Sequence, residues 1–355
     1  MGGVRGTDRL MHLALIVPAP FDAVSGGYAY DRRIVAGLRA AGHTVAVIEL
    51  LGAHPLADDV SRDAARAALD SLPGETRPIV DGLALPAFAG LDDELAARDA
   101  GAIIHHPTAL ETGFGEAERN RLLAVEKRLL PLLARVIVTS DATGERLAAD
   151  FGVPPERIRV VIPGTDAAPR SLGSGGPACN IISVGALVPR KGHDVLLRAL
   201  ARLFDLDWHL AIVGSPERDP VHARALAALA EERGIAGRVA FAGELTDAAL
   251  EALWREADIF ALATHWEGYG MAIAEALRRG LPVVVSGGGA AGSLVPPEAG
   301  AVCQPGDHVN LSKALRRLIF DATLRHNVAE AAWRVGQTFP DWPTQVGRFA
   351  QALTE

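Results

Sequence analysis

The chain has 355 residues, 49% apolar and 22% charged, which is too many for one compact core and too hydrophobic for disorder, so two domains are expected. Lysine plus arginine number 35 against 43 acids, a net charge of −8, which leaves no basic footprint for nucleic acid. Cys179 and Cys303 lie far apart with no CxxC or Cys/His cluster, so neither a disulfide framework nor a zinc site is implied, and both read as small core residues.

At the amino terminus Arg5 and Arg9 precede an apolar run over 10–19 that imitates a signal peptide. Residues 11–17 are the length of a buried strand, and loop residues follow rather than a small-residue cleavage site, so a strand and a cytoplasmic location are expected. Gly6 stands where a myristoylation signal needs Ser or Thr. Residues 13–17 then read as a strand, Gly26-Gly27 as a tight loop, 28–41 as a helix with Ile34, Val35 and Leu38 on one face, and 45–50 as the next strand. This is a βαβ unit. Further apolar runs at 102–104, 136–138 and 160–162 alternate with helical segments at 116–133 and 141–150, the pattern of a parallel sheet with helices on its faces.

Between 163 and 177 the chain reads PGTDAAPRSLGSGGP, where glycine, proline and serine displace any apolar period, so we place a linker at 169–178. The first domain is then 1–168 and the second 179–335. Strands are expected at 181–184, 210–213, 239–241, 259–262 and 283–285, alternating with helices at 194–204, 221–233, 247–256 and 271–279. The charge-free stretch 280–297 holds too much glycine and proline, including Gly287-Gly288-Gly289, to span a membrane. Trp333, Trp342 and Phe349 suggest an end helix over 336–355, either crossing back to the first domain or extending the second.

Four clusters carry chemistry. In His265-Trp-Glu-Gly-Tyr-Gly-Met-Ala-Ile-Ala-Glu275 two carboxylates flank a glycine-containing turn that opens a helix near Tyr269. The free amides of that helix start, and its positive dipole end, suit an anion or sugar hydroxyls. Glu267 and Glu275, the latter about two turns in, are pure acceptors when ionised and fit vicinal diols. A lone pair of acids at this spacing would more often be a helix-start acid and a solvated glutamate, but the glycines and a crevice at the carboxyl ends of parallel strands favour the site. In Val184-Gly-Ala-Leu-Val-Pro-Arg-Lys-Gly-His193, Arg190 and Lys191 follow a strand and form a candidate pyrophosphate clamp. Taken alone, that stretch is equally a solvated basic loop. Ser25-Gly26-Gly27-Tyr28 offers amides that a phosphate can approach, or an ordinary turn.

The fourth cluster, Ile104-His105-His106-Pro107, ends a strand in two histidines, one able to meet a substrate hydroxyl and the other a packing residue. Adjacent side chains on a strand point to opposite faces, and no Asp or Cys close in sequence supplies a third ligand, so no metal pair is expected.

Together and in this order, these pieces resemble retaining glycosyltransferases of the GT-B architecture, family 4 (glycosyl transferases group 1). The resemblance spans nearly the whole chain and includes Gly42-His43-Thr44-Val45, Val136-Ile-Val-Thr-Ser140, Ile158-Arg-Val-Val-Ile-Pro-Gly-Thr-Asp166 and Val239-Ala-Phe-Ala-Gly-Glu-Leu245. It implies an α/β fold of two doubly wound Rossmann-like domains facing a central cleft. The donor it implies is a nucleoside diphosphate sugar, UDP- or GDP-linked, held mainly by the second domain. By that resemblance Glu275 would take the ribose diol and Glu267 the sugar hydroxyls, with the amides of Gly268, Tyr269, Gly270 and Met271 near sugar and phosphate. Lys191 and Arg190, beside Gly185, would neutralise the diphosphate. Gly26 and Gly27 would approach it from the first domain, and Gly243 and Leu245 would hold the base. His105 or His106 would face the reacting region.

The expected chemistry is hexosyl transfer without metal or other cofactor. Ala186 stands where many members carry arginine, Pro163-Gly164 replaces an Asn-Gly, and Thr165 a common aliphatic residue. The competing readings are a 2-epimerase, a coupling enzyme or an inactive nucleotide-sugar binder. The acceptor, a glycan, lipid or small molecule, would be chosen by 52–118. Segment 116–135 mixes Glu116, Glu118 and Glu126 with Arg119, Arg121, Lys127, Arg128 and Arg135, leaving room for weak contact with an anionic membrane surface. A composition rich in Ala, Arg and Gly points to a GC-rich, bacterial coding genome.

Overall fold

A computed structural model describes residues 10–355; Arg5, Gly6 and Arg9, named above for targeting signals, lie outside the described residues. The chain divides into two compact units, one running up to Ile162 and including Trp342–Glu355, the other Pro163–Asp341.

In the first unit strands β1 (His12–Pro18), β2 (Thr44–Leu50), β3 (Arg77–Asp81), β4 (Gly101–Ile104), β5 (Arg135–Val138) and β6 (Ile158–Val160) form one sheet in the order β2-β1-β3-β4-β5-β6. Every pairing is parallel. Parallel strands covered on both faces must be apolar throughout, and β1 is buried at every residue after His12. The covering helices are α1 (Gly26–Ala40), α2 (Asp59–Ser71), α3 (Asp92–Ala97), α4 (Glu116–Leu129) and α5 (Asp141–Phe151). Helix α1 starts earlier than its periodicity suggests: Ser25 caps it by accepting from the Tyr28 amide at 3.1 Å, so Gly26 and Gly27 are its first turn rather than a loop.

The second unit repeats the scheme with β7 (Cys179–Val184), β8 (Trp208–Val213), β9 (Val239–Gly243), β10 (Ile259–Leu262), β11 (Val283–Ser286) and β12 (Gly300–Cys303), in the order β12-β11-β10-β7-β8-β9. All are parallel again. Its helices are α6 (His193–Leu200), α7 (Pro220–Glu232), α8 (Asp247–Glu256), α9 (Met271–Arg278), α10 (His308–Phe320) and α11 (Ala322–Gly336). The last helix, α12 (Trp342–Thr354), belongs to the first unit. There Tyr30 meets the Trp342 ring edge-on at 5.8 Å and the Arg33 guanidinium lies 5.6 Å from the same ring.

The composition of 163–177 suggested a free linker, but backbone bonds tie its core to the second unit. Thr165 N donates to Pro340 O at 2.8 Å, Ser171 N to Arg279 O at 2.9 Å and Leu172 N to Arg255 O at 2.8 Å. These bonds lie within the second compact unit, which begins at Pro163. Two strands escaped the apolar-run reading, β3 and β12, and β6 lies two residues earlier than expected.

The order of each sheet reverses once, between β1 and β3 and between β7 and β10. Loops leaving the carboxyl ends of two such strands diverge and open a crevice between them, and both crevices are lined by residues named above.

Candidate active site

In the second unit the loop after β7 carries Arg190 and Lys191 on a short 3-10 turn (Pro189–Lys191), and the loop after β10 carries Thr264 and Glu267. Lys191 Nζ donates to both carboxylate oxygens of Glu267, at 2.8 and 3.0 Å, and Thr264 Oγ1 donates to Oε1 at 2.9 Å. Arg190 Nη1 donates to the Trp266 carbonyl at 2.8 Å and stands 3.9 Å from Glu267 Oε1. Glu267 is only 6% exposed. Burial by itself would raise its pKa, but the charges of Lys191 and Arg190 and the hydrogen bonds from Lys191 and Thr264 outweigh it and hold the carboxyl below its ordinary value. Glu267 is thus an ionised, aimed carboxylate.

Its backbone is braced from below by the glycine run. Glu267 N donates to Gly288 O at 3.1 Å and Ala290 N to Glu267 O at 2.9 Å. A Cβ on Gly288 would lie 2.0 Å from the His265 carbonyl oxygen, and one on Gly289 2.2 Å from that of Glu267. In the sequence Gly287-Gly288-Gly289 argues only against a membrane span; in the fold its role is close backbone approach.

Helix α9 begins at Met271, the start that its apolar period predicts, with Gly270 at φ 106° as its left-handed cap residue. Glu275 is therefore little more than one turn into the helix, half-buried, with no hydrogen bond to its carboxylate among the described residues. Burial pushes it up to about 7, with Arg279 opposing and Asp166 adding to the rise. Tyr269 turns its ring inward, and burial pushes its hydroxyl up to about 12. Gly185 accepts from His193 Nε2 at 3.3 Å. Gly243 ends β9 at φ 67°, and Leu245 packs half-buried against the core just after it.

In the first unit His105 follows β4, and its Nε2 lies 3.1 Å from Asp31 Oδ1. Asp31 comes from α1 and is fully buried; Asp81, the last residue of β3, is buried beside it. One ligand atom from each of Asp31, Asp81 and His105 lies within 4.8 Å of the others. This corrects the expectation that no carboxylate would reach the histidines: both acids are distant in sequence and are brought in by the sheet. Donor chemistry of two carboxylates and an imidazole would accept a divalent cation. Gly27 packs under the His105 ring, where a Cβ would lie 2.9 Å from Cδ2, so the open face of that glycine is taken by imidazole. His106 is half-buried next to it.

The turn after the histidines hangs on Glu126, which accepts from Thr108 N at 2.7 Å, Thr108 Oγ1 at 2.8 Å and Ala109 N at 3.0 Å. Glu126 is fully buried, so it is not one of the surface charges of α4. Among the described residues no helix is long and apolar enough to cross a membrane.

Asp31, Asp81 and Thr264 were missed in the sequence. Asp31 had a signal: it falls on the buried face of α1 with Tyr28, Ile34, Val35 and Leu38, and a charge on an apolar stripe is rarely left without a purpose.

Two parallel doubly wound units with loops of this kind at both switch points define the GT-B class. The match to solved GT-B structures confirms that fold: a sucrose-phosphate synthase from Thermosynechococcus elongatus superimposes with a TM-score of 0.81 at 21% identity, covering 96% of this chain and 98% of that one. HepE from Anabaena, in complex with UDP-glucose, gives 0.76 at 18% identity, covering 96% and 99%. Residues 166–335 match the family model for glycosyl transferases group 1, and 100–168 that for glycosyltransferase family 4. A D-inositol 3-phosphate glycosyltransferase of Thermomonospora curvata is 30% identical over 244 residues, 62% of this chain and 56% of that protein. An MMP alpha-(1->4)-mannosyltransferase of Mycolicibacterium hassiacum is 30% identical over 233 residues, 61% and 56%. The chain spans about half the length of the curated relatives it matches.

Proposed function

We propose that this chain is a glycosyltransferase that moves a hexosyl group from a UDP- or GDP-linked sugar to an acceptor hydroxyl, with retention at the anomeric carbon, without metal, in the cytoplasm. The observation that carries the reading is the Lys191–Thr264–Glu267 constellation at the switch point of the second sheet, with the unengaged carboxylate of Glu275 on the helix that follows. The relatives named as glycosyltransferases and the neighbour holding UDP-glucose support the donor class.

In this reading the leaving diphosphate gains charge as the glycosidic bond breaks, and Lys191 and Arg190 stabilise it. Glu267 takes sugar hydroxyls and Glu275 the ribose diol, each as an ionised acceptor. The amides of 268–271 and the backbone at Gly185, Gly243 and Leu245 complete the donor cradle, and His105 meets the reacting region. The acceptor is a glycan, lipid or small molecule. Release of nucleoside diphosphate from a panel of nucleotide sugars, with and without acceptors, tests the reading. Transfer is expected with one donor class; binding of donors with no turnover for any acceptor would overturn it in favour of an inactive binder.

A further inference from the structure

Four ionisable groups from three elements converge at the carboxyl end of the first sheet. From α1 come Asp31 and Tyr30, from the end of β3 comes Asp81, and His105 leaves β4. Asp81 is in register with Ile103, two residues before His105, so the pairing of β3 with β4 delivers acid and imidazole to the same edge. The imidazole is held on three sides. Its Nε2 meets Asp31 Oδ1 at 3.1 Å, the Tyr30 ring stands edge-on at 5.3 Å, and Gly27 closes underneath. Tyr30 spends its hydroxyl on the Val161 carbonyl at 3.0 Å, and burial keeps it protonated. Asp31 Oδ2 is buried and accepts no hydrogen bond among the described residues, while an Asp81 oxygen accepts from Leu83 N at 2.9 Å. The His105 side chain keeps 23% of its surface exposed. With Nε2 spent on Asp31, Nδ1 is the ring nitrogen left for a ligand.

Two buried carboxylates facing one imidazole cannot both stay ionised beside a neutral ring without a large desolvation cost. The least costly arrangement puts a cation between them. We propose that Asp31 and Asp81 are positioning residues that hold His105 as an imidazolium, with Nε2–H on Asp31 and Nδ1–H presented as a hydrogen-bond donor to a substrate oxygen; this rests on the transferase reading above. The charges agree with that geometry. Burial would lower the His105 pKa, but Asp31, by charge and hydrogen bond, and Asp81 outweigh it and raise it above the ordinary value. Burial and the charge of Asp31 push Asp81 up to about 7, with His105 opposing.

The test is the side-chain NMR titration of His105 in chain labelled at histidine, its resonance assigned by loss in His105→Gln. In the wild type, with chelator present, it should titrate above the ordinary 6.5. It should move to lower pH in Asp31→Asn and less so in Asp81→Asn. The alkaline limb of kcat/KM should follow, costing Asp31→Asn about tenfold more at about pH 8.5 than at about pH 6, as when a limb moves by about one pH unit. A wild-type His105 that titrates at or below the ordinary value overturns the proposal whether or not the variants fold. So does a titration that added Zn²⁺ or Mn²⁺ abolishes and chelator restores, which would make the cluster a metal site. A chain that turns over no nucleotide sugar would remove the transferase reading, while the titration would still decide whether the two acids charge the ring.

Discussion

Lys191 Nζ bridges the two carboxylate oxygens of Glu267, at 2.8 and 3.0 Å. The cation assigned to the diphosphate is therefore already neutralised by the acid assigned to the sugar, with 17% and 8% of the two side chains exposed. In the proposed reading a donor shares that pair rather than meeting a bare cation. Lys191→Ala should reduce turnover by about 100-fold, the scale of losing one preorganised stabiliser. It should also destabilise the second unit by about 3 kcal/mol, because buried Glu267 loses its nearest cation and keeps only Thr264 and the more distant Arg190. Adding Glu267→Gln should recover about 1 to 3 kcal/mol of that loss in denaturant melts. Additive losses would mean that the pair is not coupled.

Gly288 is the second point at which the site can be broken without touching a charged group. Gly288→Ala forces a methyl against the His265 carbonyl, and the loop bearing Glu267 must shift. We expect a loss of about 1 to 3 kcal/mol in stability together with weakened donor binding. Gly237→Ala, where an added Cβ meets nothing within 4 Å, should be silent in both assays. Equal effects from the two substitutions would refute the bracing role.

If Glu275 takes the ribose diol as proposed, donor affinity should depend on pH. Its folded-state pKa, about 7, lies above the ordinary 4.5, so the folded chain holds this proton more tightly than the unfolded one. The stability that proton brings is complete below about pH 4.5 and is lost as pH rises through about 7. Diol binding runs the other way, since only the ionised carboxyl accepts from two hydroxyls. Calorimetry should find tighter nucleotide-sugar binding at about pH 8 than at about pH 6, with Glu275→Gln flattening the difference. Glu275→Ala should cost about 1.5 to 3 kcal/mol of binding. A pH-independent affinity in the wild type would remove Glu275 from the ribose.

The two doubly wound halves were readable because buried parallel strands write themselves as apolar runs, and α8 and β10 fall on the expected residues. The second-unit loops were readable for the same reason, each following such a run. Strand β3 was not, since its apolar run Pro78-Ile79-Val80, between Arg77 and Asp81, opens on a proline, which argues against a central strand. Losing β3 meant losing Asp81, and with it the partner that makes sense of Asp31. Contacts such as Asp31 with His105, 74 residues apart, are products of sheet order, which local periodicity does not encode. The Gly287–Gly289 run was visible but mute, because a glycine reports only that something comes close, not what.

Metal dependence and stereochemistry can be predicted together. In the proposed reading Arg190 and Lys191 take the place of a divalent ion at the diphosphate, and Glu267, the one acid on the loop after β10, is engaged with those cations rather than open to a metal. Transfer should persist in excess chelator. The described residues that can form a metal-binding group, Asp31, Asp81 and His105, lie in the other unit, and with the imidazole charged they hold a proton instead. An inverting enzyme needs a free base to deprotonate the acceptor from the face opposite the leaving group. A His105 held as imidazolium is not one, so the product should keep the donor's anomeric configuration. Proton NMR of the product made in chelator reads both outcomes from one spectrum. An inverted anomer would mean that His105 is neutral and acts as base, and product that forms only once a divalent ion is restored would make the Asp31–Asp81–His105 cluster a metal site after all.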